Sequence, residues 1–318
     1  MNPEAEHDHH DTTPELQRAR ADAASRTTWV SVAVNLALSV GQIVVGVLSR
    51  SQGLIADGAH SASDLIADGV VLFAGHHSRK AADEDHPYGH QRFETAATFI
   101  LGLLLLLVGL GMVSTAVRRI ADPAEIPTVS VIALYVAGVA LLAKELLFRY
   151  MLVIAKRLRS TMLVANAWHA RSDAASSFVV ALGIIGNLAG LPILDPVAAL
   201  IVGLMISKMG WSFGWEAMSD LMDRAVDPGE IDAIRERVAA TPGVLGVHNL
   251  RTRKMGDMIV VDVHLEVDAD ITVEAGHAIA VAAETRIREH HRVLSVMTHV
   301  DPAHRPDADH AHPASAAR

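Results

Sequence analysis

Apolar residues come in long runs before residue 222 and in short alternating ones after it. The long runs cover roughly 28–49, 54–78, 95–117, 128–154, 163–190 and 195–220. Each approaches or exceeds the ~20 residues that carry a helix across a bilayer, so the pattern predicts six transmembrane helices. The second and fifth are the least hydrophobic, because His60, Asp64, His169 and Asp173 interrupt them. From Asp227 the texture changes. Asp227, Pro228 and Glu230 read as N-cap, first helical residue and capping-box partner of a helix that runs to about Ala240 and stops at Pro242-Gly243. A strand follows over 244–254. In 258–267 the period is two: Ile259, Val261, Val263 and Leu265 take one face, and Met258, Val260, Asp262, His264 and Glu266 the other. A helix over 272–290 and a strand over 293–300 complete an α-β-β-α-β order, an α+β domain with its helices on one side of a sheet. The expected division is a disordered tail over 1–26, a six-helix membrane domain over 27–222, the α+β domain over 223–302 and a second disordered tail over 303–318.

Loop charges orient these spans. Arg18, Arg20 and Arg26 precede the first, Arg79, Lys80 and Arg92 follow the second, and Lys156, Arg157 and Arg159 follow the fourth. The other side offers Arg50, Arg118 and Arg119. The excess of basic residues places both termini in the cytoplasm of a multi-pass protein of the cytoplasmic membrane.

Composition narrows the chemistry. A net charge of -9 argues against a nucleic-acid partner. With no cysteine there is neither a disulfide framework nor a thiolate metal site, so any metal is held by imidazole and carboxylate. There are 18 histidines. His7, Asp8, His9, His10 and Asp11 read as a disordered end or a weak metal-catching tract, and His304, His310 and His312 fall in the other tail.

The sharpest signal is the pair of His-x-x-x-Asp spacings, His60 with Asp64 and His169 with Asp173. A spacing of i, i+4 puts imidazole and carboxylate on one helix face. Ionisable groups inside a bilayer are costly and mark function. Two such pairs supply two nitrogens and two oxygens, a set that closes tetrahedrally around zinc, while two carboxylates balance a divalent charge. Protons compete with metal for the same lone pairs, which suffices as a basis for antiport. The bland alternative is a pair of interhelical hydrogen bonds. Asp57 and Asp68, one turn to either side, are candidates for a proton path or for structural pairing. Asn35 and Asn187 read as helix-to-helix hydrogen-bonding residues, Asn166 as a partner orienting His169, and Lys208 as a snorkelling or paired cation.

Further motifs support a family resemblance. Ala56-Asp57-Gly58 with His60, Ser61 and Asp64, then Asp83-Glu84-Asp85-His86-Pro87-Tyr88-Gly89-His90, and Asn166-Ala167-Trp168-His169-Ala170-Arg171-Ser172-Asp173 resemble the cation diffusion facilitator family. The likeness covers about residues 25 to 302. It implies a homodimeric, proton-coupled exporter of divalent metal with a metallochaperone-like cytoplasmic domain. It also implies a loop site at Asp83, His86 and His90, and a cytoplasmic site at His248, His264, His277, His299 and Asp301 that lies at the dimer interface and holds zinc. Arg92 and Asp223 fall where the family has a cation–carboxylate interlock. His290 and His291 match nothing in the family and are expected to be merely exposed.

Zinc is the expected cargo, with iron, manganese, cobalt or cadmium as the alternatives, since His60 is a position at which relatives vary. An enzyme is disfavoured by the lack of a His-Glu-x-x-His helix or another hydrolytic motif. A membrane metal sensor is the other class to weigh.

Overall fold

A computed structural model describes residues 14–78, 80–157, 161–256 and 258–303. The His-rich segments at 7–11 and 304–312, together with Arg79 and Arg159, lie outside the described residues. Six long helices come first: α1 (Pro14–Leu48), α2 (Gln52–Ser78), α3 (Arg92–Ala121), α4 (Val131–Arg157), α5 (Thr161–Leu188) and α6 (Leu194–Leu221). Among the described residues four are long and apolar enough to cross a membrane, namely α1 from Trp29, α3, α4 and α6. The two that are not are α2 and α5, which carry the His and Asp residues. α1 begins at Pro14, inside the segment expected to be a disordered tail. Residues 14–25 are rich in Ala and Arg, strong helix formers that extend an already nucleated helix at little cost.

The chain forms two compact units, residues 1–70 with 101–212, and residues 71–100 with 213–318. Within the first, small residues bring helix backbones together. A Cβ built on Gly210 of α6 would clash with the Leu106 amide nitrogen of α3, so only glycine fits that crossing. The start of α2 is held from a distance. Buried Asp195 of α6 accepts from the Ser51 hydroxyl at 2.6 Å and from the Gln52 and Gly53 amides at 2.7 and 3.3 Å. These are the orphan donors of a helix N-terminus, satisfied here by a carboxylate from another helix. Asn187 also acts on loops: its Oδ1 accepts from the Val129 amide and its Nδ2 donates to the Pro127 and Pro192 carbonyls. Asn35 donates to Ser31 one turn earlier in its own helix. Among the described residues neither asparagine is seen to join two helices as expected: Asn187 bonds the segments before α4 and α6, and Asn35 the preceding turn of its own helix. Lys208 is exposed on α6, as a snorkelling lysine is.

The second unit contains α7 (Pro228–Ala239), β1 (Gly246–Met255), β2 (Met258–Val267), α8 (Val273–His290) and β3 (Val293–Pro302), in the expected order. β2 is central, antiparallel to β1 and parallel to β3. Ile259, Val261, Val263 and Leu265 are buried against Ile234 and Val238 of α7 and Ala280, Ala283 and Ile287 of α8. The alternation in β2 thus covers one sheet face with helices and leaves the face bearing His264 outward. Asp227 is the N-cap of α7 and Pro228 follows it, but the aspartate side chain makes no capping bond. At α8 the Thr272 hydroxyl does cap, accepting from the Ala275 amide at 3.1 Å. His291, expected to be merely exposed, is mostly buried, with Nδ1 3.3 Å from Glu230 Oε1.

Candidate metal centres

On α2, His60 Nδ1 lies 3.8 Å from Asp64 Oδ2. Across the contact with α5, His60 Nε2 lies 3.8 Å from Asp173 Oδ1. One ligand atom from each of His60, Asp64 and Asp173 lies within 4.8 Å of the others, and all three side chains are largely shielded. Bonds of ~2.0 Å to a tetrahedral zinc put neighbouring ligand atoms about 3.3 Å apart, so slight contraction closes this trio on an ion. His169 stands on α5 one turn before Asp173. Its side chain, and that of Asn166, lie outside the described residues.

One turn from the trio lies a polar centre that includes a cation not assigned a site from the sequence. Asp57 is buried and ion-paired with Lys144 of α4, Nζ to Oδ1 3.2 Å. Its carboxylate also receives Gln42 of α1 and the hydroxyls of Ser176 and Ser177 of α5, at 3.2 and 2.6 Å for the serines. Lys144, a charged residue inside the long apolar run 128–154, was the available signal. Asp68, the other acidic neighbour, is exposed on α2.

The second cluster is built on a loop. The Asp83 carboxylate accepts from the His86 amide at 2.8 Å and stands 3.4 Å from His86 Nδ1 and 3.4 Å from His90 Nε2. Gly89, at φ +82°, turns the chain so that both rings reach one carboxylate. His90 is buried, and its Nδ1 lies 3.2 Å from the Ala81 carbonyl. Donation there leaves a lone pair on Nε2 facing Asp83, the arrangement that orients a metal-binding imidazole. The Lys80 ammonium, bonded to Asp83 at 2.7 Å, and the His86 amide hold the Asp83 carboxyl well below the usual carboxylate range. Nearby, Arg92 bonds Asp223 through Nη2 and the Leu221 carbonyl through Nη1. Asp223 sits at φ +62°, a left-handed conformation that aspartate tolerates.

The third cluster crosses the sheet. His248 pairs with His264 in the β1–β2 register and His264 with His299 in the β2–β3 register, so three imidazoles stand in a row on the outward face. Asp301 is their hub. Its Oδ2 lies 2.9 Å from His264 Nδ1 and 3.3 Å from His248 Nε2, and its Oδ1 lies 3.0 Å from His299 Nε2. Burial pushes the Asp301 carboxyl up, but the His264 hydrogen bond and the three imidazoles outweigh it and hold it below the ordinary value. Two further residues complete the surroundings: Glu266 Oε1 is 3.1 Å from His248 Nδ1, and Asn249 Nδ2 is 3.2 Å from His264 Nε2. His277 is not brought into this group. It is exposed on α8 and lines a hollow with Ile271, Thr298 and Val300. Its helix packs on the opposite sheet face, which takes it away from the imidazole row.

Comparisons with known proteins cover both parts of the chain. Residues 28–222 match the family described as cation efflux transmembrane domain, and residues 226–303 the one described as cation efflux protein, cytoplasmic domain. Metal tolerance protein 2 of Oryza sativa subsp. japonica is 34% identical, over 88% of this chain and 78% of its own length. Manganese efflux system protein MneS of Bacillus subtilis (strain 168) is 34% identical, over 86% of this chain and 93% of its own. Magnetosome protein MamB of Magnetospira sp. (strain QH-2) is 34% identical, over 81% of this chain and 88% of its own.

Proposed function

The chain belongs to the cation diffusion facilitator family of membrane metal exporters, and we propose that it moves zinc out of the cytoplasm in exchange for protons by alternating access. The observation that carries this reading is the convergence of His60, Asp64 and Asp173 from two helices onto one shielded point. His169, on the same face of α5 as Asp173, completes a two-nitrogen, two-oxygen set. Two imidazoles favour zinc, whereas an all-oxygen site suits manganese. Manganese, named for the Bacillus relative, is the principal competing cargo.

Proton coupling follows from donor chemistry. Metal binds the deprotonated ligands, so loading releases protons and unloading admits them. Asp68 is exposed on the site's helix and is the group suited to pass them. All six long helices cross the membrane in this reading. α2 and α5 bury their polar faces against their neighbours, and loop charge leaves both termini in the cytoplasm.

The chain works as a homodimer. Asp83, His86 and His90 form an open three-ligand site in the cytoplasmic loop, and zinc fits its donors. His248, His264, His299 and Asp301 hold regulatory zinc, and His277 joins them only if supplied by a second copy. The Arg92–Asp223 pair serves as an interlock at the hinge.

Purified protein in sealed vesicles tests the reading. An imposed pH gradient is expected to drive zinc flux that Asp64→Ala abolishes. Zinc binding without flux would turn the reading to a sensor. Flux of manganese but not zinc would overturn the choice of metal.

A further inference from the structure

Asp57 receives donors from three other helices: Gln42 from α1, Lys144 from α4, and Ser176 and Ser177 from α5. All five side chains are at most 2% exposed. The centre lies directly beside the metal-binding trio. Asp57 is three residues before His60 on α2, and Ser176 is three residues after Asp173 on α5, with its Oγ 2.8 Å from the Asp173 carbonyl. Ser177 joins the two charges, accepting from Lys144 at 2.7 Å and donating to Asp57 at 2.6 Å.

We propose that Lys144 is a positioning residue for the metal site: paired with Asp57, it fixes the α2–α5 contact one turn from His60 and Asp173 and keeps Asp57 from becoming a third carboxylate ligand. The inference rests on the transport reading. Asp64 and Asp173 carry two negative charges, which match a divalent cation, and Asp57 would add a surplus if Lys144 did not balance it. A buried carboxylate robbed of its cation must find another, and the nearest on offer is the metal. Lysine holds Asp57 through one point charge and leaves the serine hydroxyls their own places on it.

The experiment measures zinc flux and zinc affinity together, in vesicles of the full chain, with the Asp64→Ala/Asp173→Ala titration subtracted to isolate the membrane site. Lys144→Met is expected to cut flux about tenfold or more while zinc affinity holds or rises, because Asp57 is then free to add a third carboxylate; Asp57→Asn is expected to cut flux and affinity about tenfold or more, because it strands the buried Lys144 charge beside the site. The double variant Lys144→Met/Asp57→Asn is expected to return to within about threefold of wild type, since coupled residues are not additive. Singles indistinguishable from wild type, or a double variant as poor as the worse single, would overturn the proposal. If the single variants do not accumulate, Ser177→Ala decides: it keeps both charges and is expected to raise the zinc KM about threefold with little change in maximal rate, the cost of a lost hydrogen bond. An unchanged KM there overturns it. A wild type that binds zinc but moves none sinks the transport reading, while the ordering of affinities still decides the role of Lys144.

Discussion

His60 Nε2 faces Asp173 Oδ1 across the α2–α5 contact at 3.8 Å, too long for a hydrogen bond and close to the spacing of two ligands on one ion. His60 and Asp64 come from α2 and Asp173 from α5, so the proposed transport site depends on the contact between these two helices.

Loss of either carboxylate should leave an incomplete and charge-imbalanced site. Asp64→Ala and Asp173→Ala are expected to lower zinc flux in vesicles by about a hundredfold or more, the loss that follows removal of a charged partner worth ~3 kcal/mol. His60→Asp, by contrast, should keep zinc transport and admit cadmium, read from competition between the two metals. Equal cadmium and zinc transport by the wild type would remove the argument from two nitrogens.

The sheet cluster should bind zinc in a strongly pH-dependent way. Its imidazoles bind metal only when deprotonated, so affinity is expected to fall as the solution is acidified. Asp301, held below its ordinary value, stays ionised there. Its stabilising contribution is complete above the unfolded carboxylate pKa of about 3.9 and is lost as pH falls through the lower folded one. Asp301→Ala should abolish binding at this cluster in a zinc competition titration, whereas His277→Ala should leave binding to a single copy unchanged.

In the loop, Lys80 is ion-paired with Asp83 and would compete with a metal for it in the proposed loop site. Lys80→Ala is expected to raise zinc affinity at this site severalfold. It should also let the Asp83 carboxyl rise toward its ordinary value of about 3.9, so that the loop's carboxylate contribution is lost at higher pH on acidification. Titration of the Asp83 carboxyl by NMR, with and without zinc, checks both. His90→Ala should weaken binding more than His86→Ala, because only His90 is buried and oriented by a carbonyl.

The α3–α6 crossing tolerates no side chain at Gly210. Gly210→Ala is expected to lower the thermal midpoint in detergent by several degrees, from an overpacking cost of about 1–3 kcal/mol. Gly138→Ala, which meets nothing within 4 Å, serves as the control and should be neutral or stabilising. Equal midpoints for the two variants would contradict the packing.

Local pattern determined much of this protein by itself. The six apolar runs became six helices, the period of two in 258–267 became the covered and open faces of β2, and the i, i+4 spacing placed His60 beside Asp64. These depend only on helix and strand periodicity, which a sequence carries openly. Tertiary structure decided what meets what. It set α2 against α5, and it paired β1, β2 and β3 so that His248, His264 and His299 line up on Asp301 while His277 stands apart. It also joined Asp57 to Lys144 and the start of α2 to Asp195, contacts that span long stretches of chain. No periodicity encodes such pairs. They exist because a buried charge or an unsatisfied helix end must find a partner, and only the packed fold determines which one is in reach.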